Sequence, residues 1–149
     1  MTAVDELIEP AGLRQMRERF FDGPPVPAAD LLGMHPADFG VGHAAFVADA
    51  QASWSNPMGT VHGGIAATLL DSALGCAVQS TLDEGVGYTT ISLEVKYLRA
   101  IRLDAGELRA EAFVVHAGRR QATAEARLTD RDGRVLATAT TTCLILGSA

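Results

Sequence analysis

The chain predicts an α+β domain in which a single antiparallel sheet is built around one long buried helix. Three observations carry this. Residues 63–82 place Ile65, Leu69, Leu70, Leu74, Ala77 and Val78 around nearly the whole helical circumference, and a helix apolar on all sides is a buried one. Four segments after it have strand periodicity or composition and are separated by glycine-containing turns. One further strand precedes it, so the order is helix, strand, long helix, four strands.

Taken in order, residues 4–21 set Val4, Leu7 and Ile8, then Leu13, Met16 and Phe20, at helical intervals. Pro10 would cost a continuous helix a hydrogen bond, so a short turn to Glu9 and a helix from about Ala11 to Phe21 are expected. Residues 22–39 contain Gly23, Pro24, Pro25, Pro27, Gly33 and Pro36 and read as a connector, with a one-turn helix at Leu31, Leu32 and Met34. The expected division is therefore an N-terminal helical extension and connector, 1–38, and a main unit, 39–149. Phe39 to Gln51 predicts the first strand, loosened at its start by Gly40 and Gly42, and Ala52 to Thr60 a loop.

The central helix contains Gly75, which costs about 1 kcal/mol of helix propensity against alanine and implies a close neighbour. Thr90 to Leu98 alternates, with Ile91, Leu93, Val95 and Tyr97 on one face and Thr90, Ser92, Glu94 and Lys96 on the other. Gly106 to Ala117 is apolar on both faces near Phe113 and predicts a central strand. After the Gly118–Arg120 turn, Ala122, Ala124, Ala126 and Leu128 form a face small enough to lie against a helix. Asp130 to Gly133 is a hairpin turn, and Val135 to Leu146 the last strand. Five strands around one helix leave open edges, a liability that pairing with a second subunit removes.

Composition narrows the function classes. Eighteen acidic and twelve basic residues give a net charge of −6 over 149 residues, which opposes non-specific binding to nucleic acid or to an anionic membrane. No segment approaches the roughly 20 apolar residues of a membrane span, and the first residues lack a signal-like pattern. Cys76 and Cys143 are too few and too far apart for a metal motif or a disulfide scaffold, and they point to a reduced compartment, the cytoplasm. The four histidines share no zinc spacing, so no metal or cofactor is expected.

Candidate chemistry sits at two places on the helix. Its start, Gly63-Gly64-Ile65, presents free amides at the positive end of the dipole, suited to a phosphate or a developing oxyanion. Asp71 lies two turns further on, either as a structural acid with a partner or as a base whose basicity burial raises. Eight residues separate Gly63 from Asp71, about 12 Å along one helix, too far to serve one small reaction centre. Two such helices laid antiparallel across a two-fold axis would bring Asp71 of one subunit to Gly63 of the other. His62 and Asn56 precede the glycines, able to cap locally or to orient a carbonyl or a water. No Gly-x-Ser-x-Gly elbow is present, which disfavours a serine hydrolase.

The run Asn56-Pro-Met-Gly59-Thr-Val-His62-Gly63-Gly64, with Leu70-Asp71-Ser72-Ala73 and Thr89-Thr90-Ile91-Ser92-Leu93-Glu94-Val95, resembles the hotdog-fold acyl-CoA thioesterases of the phenylacetic-acid-degradation type. The resemblance covers residues 40–146. It implies a sheet wrapped around the helix, a homodimer with composite sites, and dimers that can pair into tetramers. It assigns the Gly63 amide to the thioester carbonyl, and Asp71 of the other subunit to the nucleophile or the general base. Asn56 and His62 would place carbonyl and water, and a strand hydroxyl would come from Thr89 or, less well matched, Thr90. Some relatives carry a hydroxyl one turn past the acid, where this chain has Gly75. Gly64, Lys96, Arg99, Arg119 and Arg120 are the candidates for coenzyme A, the basic residues equally readable as a solvated sheet edge. Trp54, Met58 and Leu74 are those for the acyl pocket, with Trp54 also readable as core or dimer-interface packing. The other readings are a thioester hydratase, whose differently spaced histidine–acid motif is absent, and a non-catalytic acyl-CoA-binding hotdog domain.

Overall fold

A computed structural model describes residues 9–147. The expected turn formed with Val4, Leu7 and Ile8 lies largely outside the described residues. Helix α1 runs Ala11–Arg17 and continues through one wider helical turn, Glu18–Asp22, and α2 spans Pro27–Leu32. Strands β1 (His35–Gly40) and β2 (His43–Asp49) follow, then α3 (Gly63–Gln79). Strands β3 (Gly87–Tyr97), β4 (Glu107–Ala117), β5 (Gln121–Thr129) and β6 (Val135–Leu146) complete the chain. All pair antiparallel in one sheet of order β1-β2-β4-β5-β6-β3.

The sheet has six strands where five were expected, because the segment predicted as one strand, Phe39 to Gln51, holds the end of β1, a turn and β2, and so folds back as a hairpin. Gly42 at φ 71° turns the chain back, an easy conformation for glycine, and residues from His35 onward add an edge strand. The Gly42 amide donates to Ser80 Oγ at 2.8 Å, and Ser80, wholly buried, donates to Ala77 O at 2.6 Å, so this turn is tied to the end of α3.

Helix α3 lies along the inner face of the sheet, packed against β2 to β6. Ala44, Ala112, Ala122, Ala124 and Ala137 are buried on the strands and Ala73 and Ala77 on the helix, which lets the backbones approach closely. Between them Phe46, Leu69, Leu70, Leu74, Leu108 and Leu128 are fully buried, each contributing about 1.5–3 kcal/mol. Phe20 meets Phe39 and Phe46 edge-on, with ring centroids 5.6 and 5.2 Å away, and so anchors the N-terminal helices to the first hairpin.

Helix α1 docks on the end of α3 through a bare backbone. The Gly12 amide donates to Leu82 O at 2.9 Å, and a Cβ at residue 12 would overlap Gln79 O and lie 3.0 Å from Leu82 O. Backbone cannot yield as a side-chain tip can, so Gly12→Ala should destabilise the fold by about 1–3 kcal/mol despite its better helix propensity. A urea unfolding midpoint unchanged from wild type would refute this packing.

The two sheet edges differ. β1 is short, contains Pro36 and shifts register between Pro36 and Asp38, features that blunt an edge. β3 has 11 residues and an open edge along its whole length.

Candidate active site

Two hydrogen bonds between α3 and β3 frame the site. Thr90 Oγ1 donates to Asp71 Oδ1 at 3.1 Å, and the Tyr97 hydroxyl donates to Gly63 O at 2.6 Å. Both strand side chains therefore face the helix, although a regular strand would send residues an odd number apart to opposite faces. The ladder to β6 shifts register between Thr90 and Ser92, making Ile91 a bulged residue. The strict alternation expected from the sequence is thereby corrected: the bulge turns Thr90 inward beside Asp71 and leaves Ile91 52% exposed. Leu93, Val95 and Tyr97 keep their expected side.

The start of α3 is set by His62, its N-cap. His62 Nδ1 accepts the Gly64 amide at 2.9 Å, and His62 O accepts the Ile65 amide at 2.9 Å. Because Nδ1 is the acceptor, the neutral ring carries its proton on Nε2, which remains available as a donor. The amide of Gly63 donates to no protein group among the described residues. The Gly63–Gly64 peptide is thus clamped at both ends, its N–H by His62 and its C=O by Tyr97, while the preceding N–H stays unspent at the positive helix end. The Tyr97 ring lies over Gly63 so closely that a Cβ there would sit 3.1 Å from Tyr97 Cζ.

Asn56 shapes the loop before the helix. Its Oδ1 accepts the amides of Met58 at 3.0 Å and Thr60 at 3.1 Å, and its Nδ2 donates to Thr60 Oγ1 at 2.9 Å. Asn56, Met58, Gly63, Tyr97 and Arg99 line one open groove of about 320 Å³. Met58 is 83% exposed on its rim.

Other sequence candidates are dispersed. Thr89, adjacent to the inward Thr90, pairs with Leu144 and is exposed, so it is Thr90 that reaches Asp71. Trp54 and Leu74 are core residues rather than walls of an open pocket. Trp54 is 3% exposed and holds His62 through a 2.8 Å bond from the His62 amide, and Leu74 is completely buried. Lys96 lies on the outer face, 3.7 Å from Glu94 and in a hollow with Phe113 and Arg127, away from α3. Arg119 and Arg120 are exposed at the β4–β5 turn, where Arg120 O accepts the Ile145 amide and Ile145 pairs with Tyr88. That is the Asp71 end of β3, whereas Arg99 is at the Gly63 end. Among the described residues no three His, Cys, Asp or Glu side chains gather as a metal-binding set.

Both tyrosines of the chain pass unnoticed as site residues in the sequence. Tyr97 reads only as an apolar member of a strand face, and Tyr88 precedes the motif. The single hint was Gly75, whose missing side chain leaves room for Tyr88: a Cβ there would fall 2.9 Å from Tyr88 Cε2 and 3.0 Å from Cζ.

Two thiols surround the acid. Burial first, and the Asp71 charge second, push the buried Cys76 thiol up to about 12. Burial raises Cys143 as well, with Asp71 adding and hydrogen bonds to Thr141 and Thr90 opposing. Since the thiolate is the reactive species, both should react with an aromatic disulfide reagent at pH 8 at least about a hundredfold more slowly than free cysteine. Two thiols per chain should then titrate on denaturation, and fast reaction of the folded protein would contradict the burial.

A sheet curled around one buried helix, with a helix-start amide and an acid spaced along it, defines a protein of the hotdog thioesterase class. The chain belongs to the thioesterase superfamily, whose family model matches residues 58–137. It is similar in structure to a phenylacetic acid degradation-related protein from Ralstonia eutropha JMP134, with 30% identity and a TM-score of 0.77, covering 87% of this chain and 97% of that one. The PaaI protein of the E. coli phenylacetic acid degradation operon shares the fold, with a TM-score of 0.81 at 21% identity over 93% of this chain and 96% of that one. A Halobacterium salinarum protein named for esterase activity is 53% identical over 62 residues, 40% of this chain and 39% of that relative's length.

Proposed function

We propose that the protein hydrolyses the thioester of an acyl- or aryl-acyl-CoA to the free acid and coenzyme A. The observation that carries this is the pairing of an unspent Gly63 amide with an Asp71 carboxylate oriented by Thr90. A thioester is already activated, so one acid and an oriented amide suffice without a serine nucleophile. Asp71 takes the proton from water as it attacks the carbonyl carbon, and the Gly63 N–H receives the charge that grows on the oxygen. The carbonyl then re-forms as the C–S bond breaks, and the coenzyme A thiolate takes up the proton that Asp71 removed from water, leaving as the thiol and restoring the carboxylate. His62 Nε2–H, left free while Nδ1 accepts the Gly64 amide, is a second donor at the helix start, and Asn56 holds the loop that walls the groove.

Each reaction centre combines two subunits in this reading. β3 supplies the open edge, and α3 runs along it in the opposite sense, Asp71 by Thr90 and Gly63 by Tyr97. A two-fold axis passing near Ala67 of the helix and Leu93 of the strand exchanges the two ends and closes the edge. It also brings Arg119 and Arg120 of the partner subunit toward Arg99, a basic rim for the coenzyme A phosphates. Outward Phe113 and Val115, 56% and 62% exposed, offer a surface for pairing dimers into a tetramer. In the same proposal, residues 1–38 are the extension, its last residues contributing the first half of β1 to the sheet, and 39–149 the catalytic unit, and the cytoplasm is the compartment that keeps both thiols reduced.

Release of free thiol from a panel of aromatic and straight-chain acyl-CoA esters tests the proposal. Binding of every ester without turnover would replace it with the acyl-CoA-binding reading.

A further inference from the structure

We propose that Tyr88 is a positioning residue for the water that Asp71 activates, an inference that rests on the thioesterase reading above. Residues four apart on a helix bring their Cβ atoms to about 5–6 Å, so a side chain one turn past Asp71 would be its neighbour. Here that position is Gly75, buried and without a side chain. The volume its Cβ would fill is taken by the phenol of Tyr88, whose hydroxyl oxygen is the first atom such a Cβ would meet. Strand β3 thus places a hydroxyl on the helix beside Asp71 from across the layer.

That hydroxyl is not committed elsewhere. Among the described residues it makes no hydrogen bond to protein, and since no fully buried polar side-chain atom there lacks a partner, solvent reaches it, while the Tyr88 ring is partly buried against the core. Burial, the thiols of Cys76 and Cys143 and the Asp71 charge all push its ionisation upward, so the phenol keeps its proton and can donate. Thr90 already donates to Asp71 Oδ1 from the same strand, and Oδ2 accepts from no protein group among the described residues. A water between Oδ2 and the Tyr88 hydroxyl would satisfy both. Tyr88 and Thr90, two apart on β3 before the bulge, would then flank the carboxylate, one holding the base and the other its water.

The test uses the full-length protein and the acyl-CoA that it hydrolyses fastest. Tyr88→Phe keeps the ring that fills the Gly75 space, so the fold should persist. Its kcat should fall about 10- to 100-fold with KM within about twofold, the pattern of a lost group that acts on the reacting water. Moving the hydroxyl to the helix, with Gly75→Thr in a Tyr88→Ala background, should recover part of that loss relative to Gly75→Ala with Tyr88→Ala. A high-resolution crystal structure should show one ordered water within hydrogen-bond distance of Asp71 and the Tyr88 hydroxyl, absent in Tyr88→Phe. An active wild type with an equally active Tyr88→Phe, or with no such water, would overturn the role of Tyr88 and leave the thioesterase reading standing. A wild type inert towards every acyl-CoA would overturn the hydrolase reading and the water's catalytic role with it, even if the bridging water is seen.

Discussion

Asp71→Asn should lower the rate of thioester hydrolysis at least about a thousandfold while leaving the fold and the oligomer unchanged. Asparagine has the shape of aspartate, and its side-chain carbonyl can still accept the Thr90 hydroxyl that now meets Oδ1 at 3.1 Å. The substitution therefore removes basicity and charge with little change in packing. Position-specific proton transfer contributes about 10²–10⁴-fold in enzymes, and here one acid carries that role alone. Turnover within tenfold of wild type, in a variant whose circular dichroism and size-exclusion profile match it, would sink the assignment of Asp71.

The second large effect separates the two halves of the site. Gly63→Pro should reduce kcat about 10²–10³-fold, the usual cost of one lost oxyanion donor. Proline is well suited to the first position of a helix, where its missing N–H has no helical partner. The preceding residue must then be extended, and His62, at φ −59° and ψ 132°, already is. The main strain falls on Tyr97, whose ring would have to shift by a few tenths of an ångström from a Cβ 3.1 Å away. Mixing this variant with Asp71→Ala under conditions that exchange subunits should then restore activity. Each mixed dimer has one site with both groups intact, so random exchange should give about one quarter of the wild-type rate. Verified mixed dimers with no recovery would exclude a site shared between subunits.

Much of this was legible in the residues. A helix apolar all round can only be a core, and alanine-rich strands after it can only be its wrapping, so α3 and β4 to β6 follow from local pattern. The spacing of Gly63 and Asp71 follows from helix geometry and already separates the two groups. The first hairpin was not legible, because a glycine that permits a turn does not by itself say that the chain pairs backward. Trp54 and Leu74 have the composition of a pocket wall and of a core alike, and only burial distinguishes the two.

By itself, then, the sequence determined the layer order and the buried helix, and it singled out the two groups on it, Gly63 and Asp71, on which the proposed chemistry rests. Tertiary structure decided which groups serve them. The bulge at Ile91 reverses the phase of β3 and turns Thr90 toward Asp71, and it is written in the ladder with β6 rather than in any residue type. Tyr97 on Gly63 and Tyr88 on Gly75 are contacts between a strand and a helix distant in the chain. Periodicity reports which face a side chain takes, whereas the atom it meets there depends on how two elements are laid across each other.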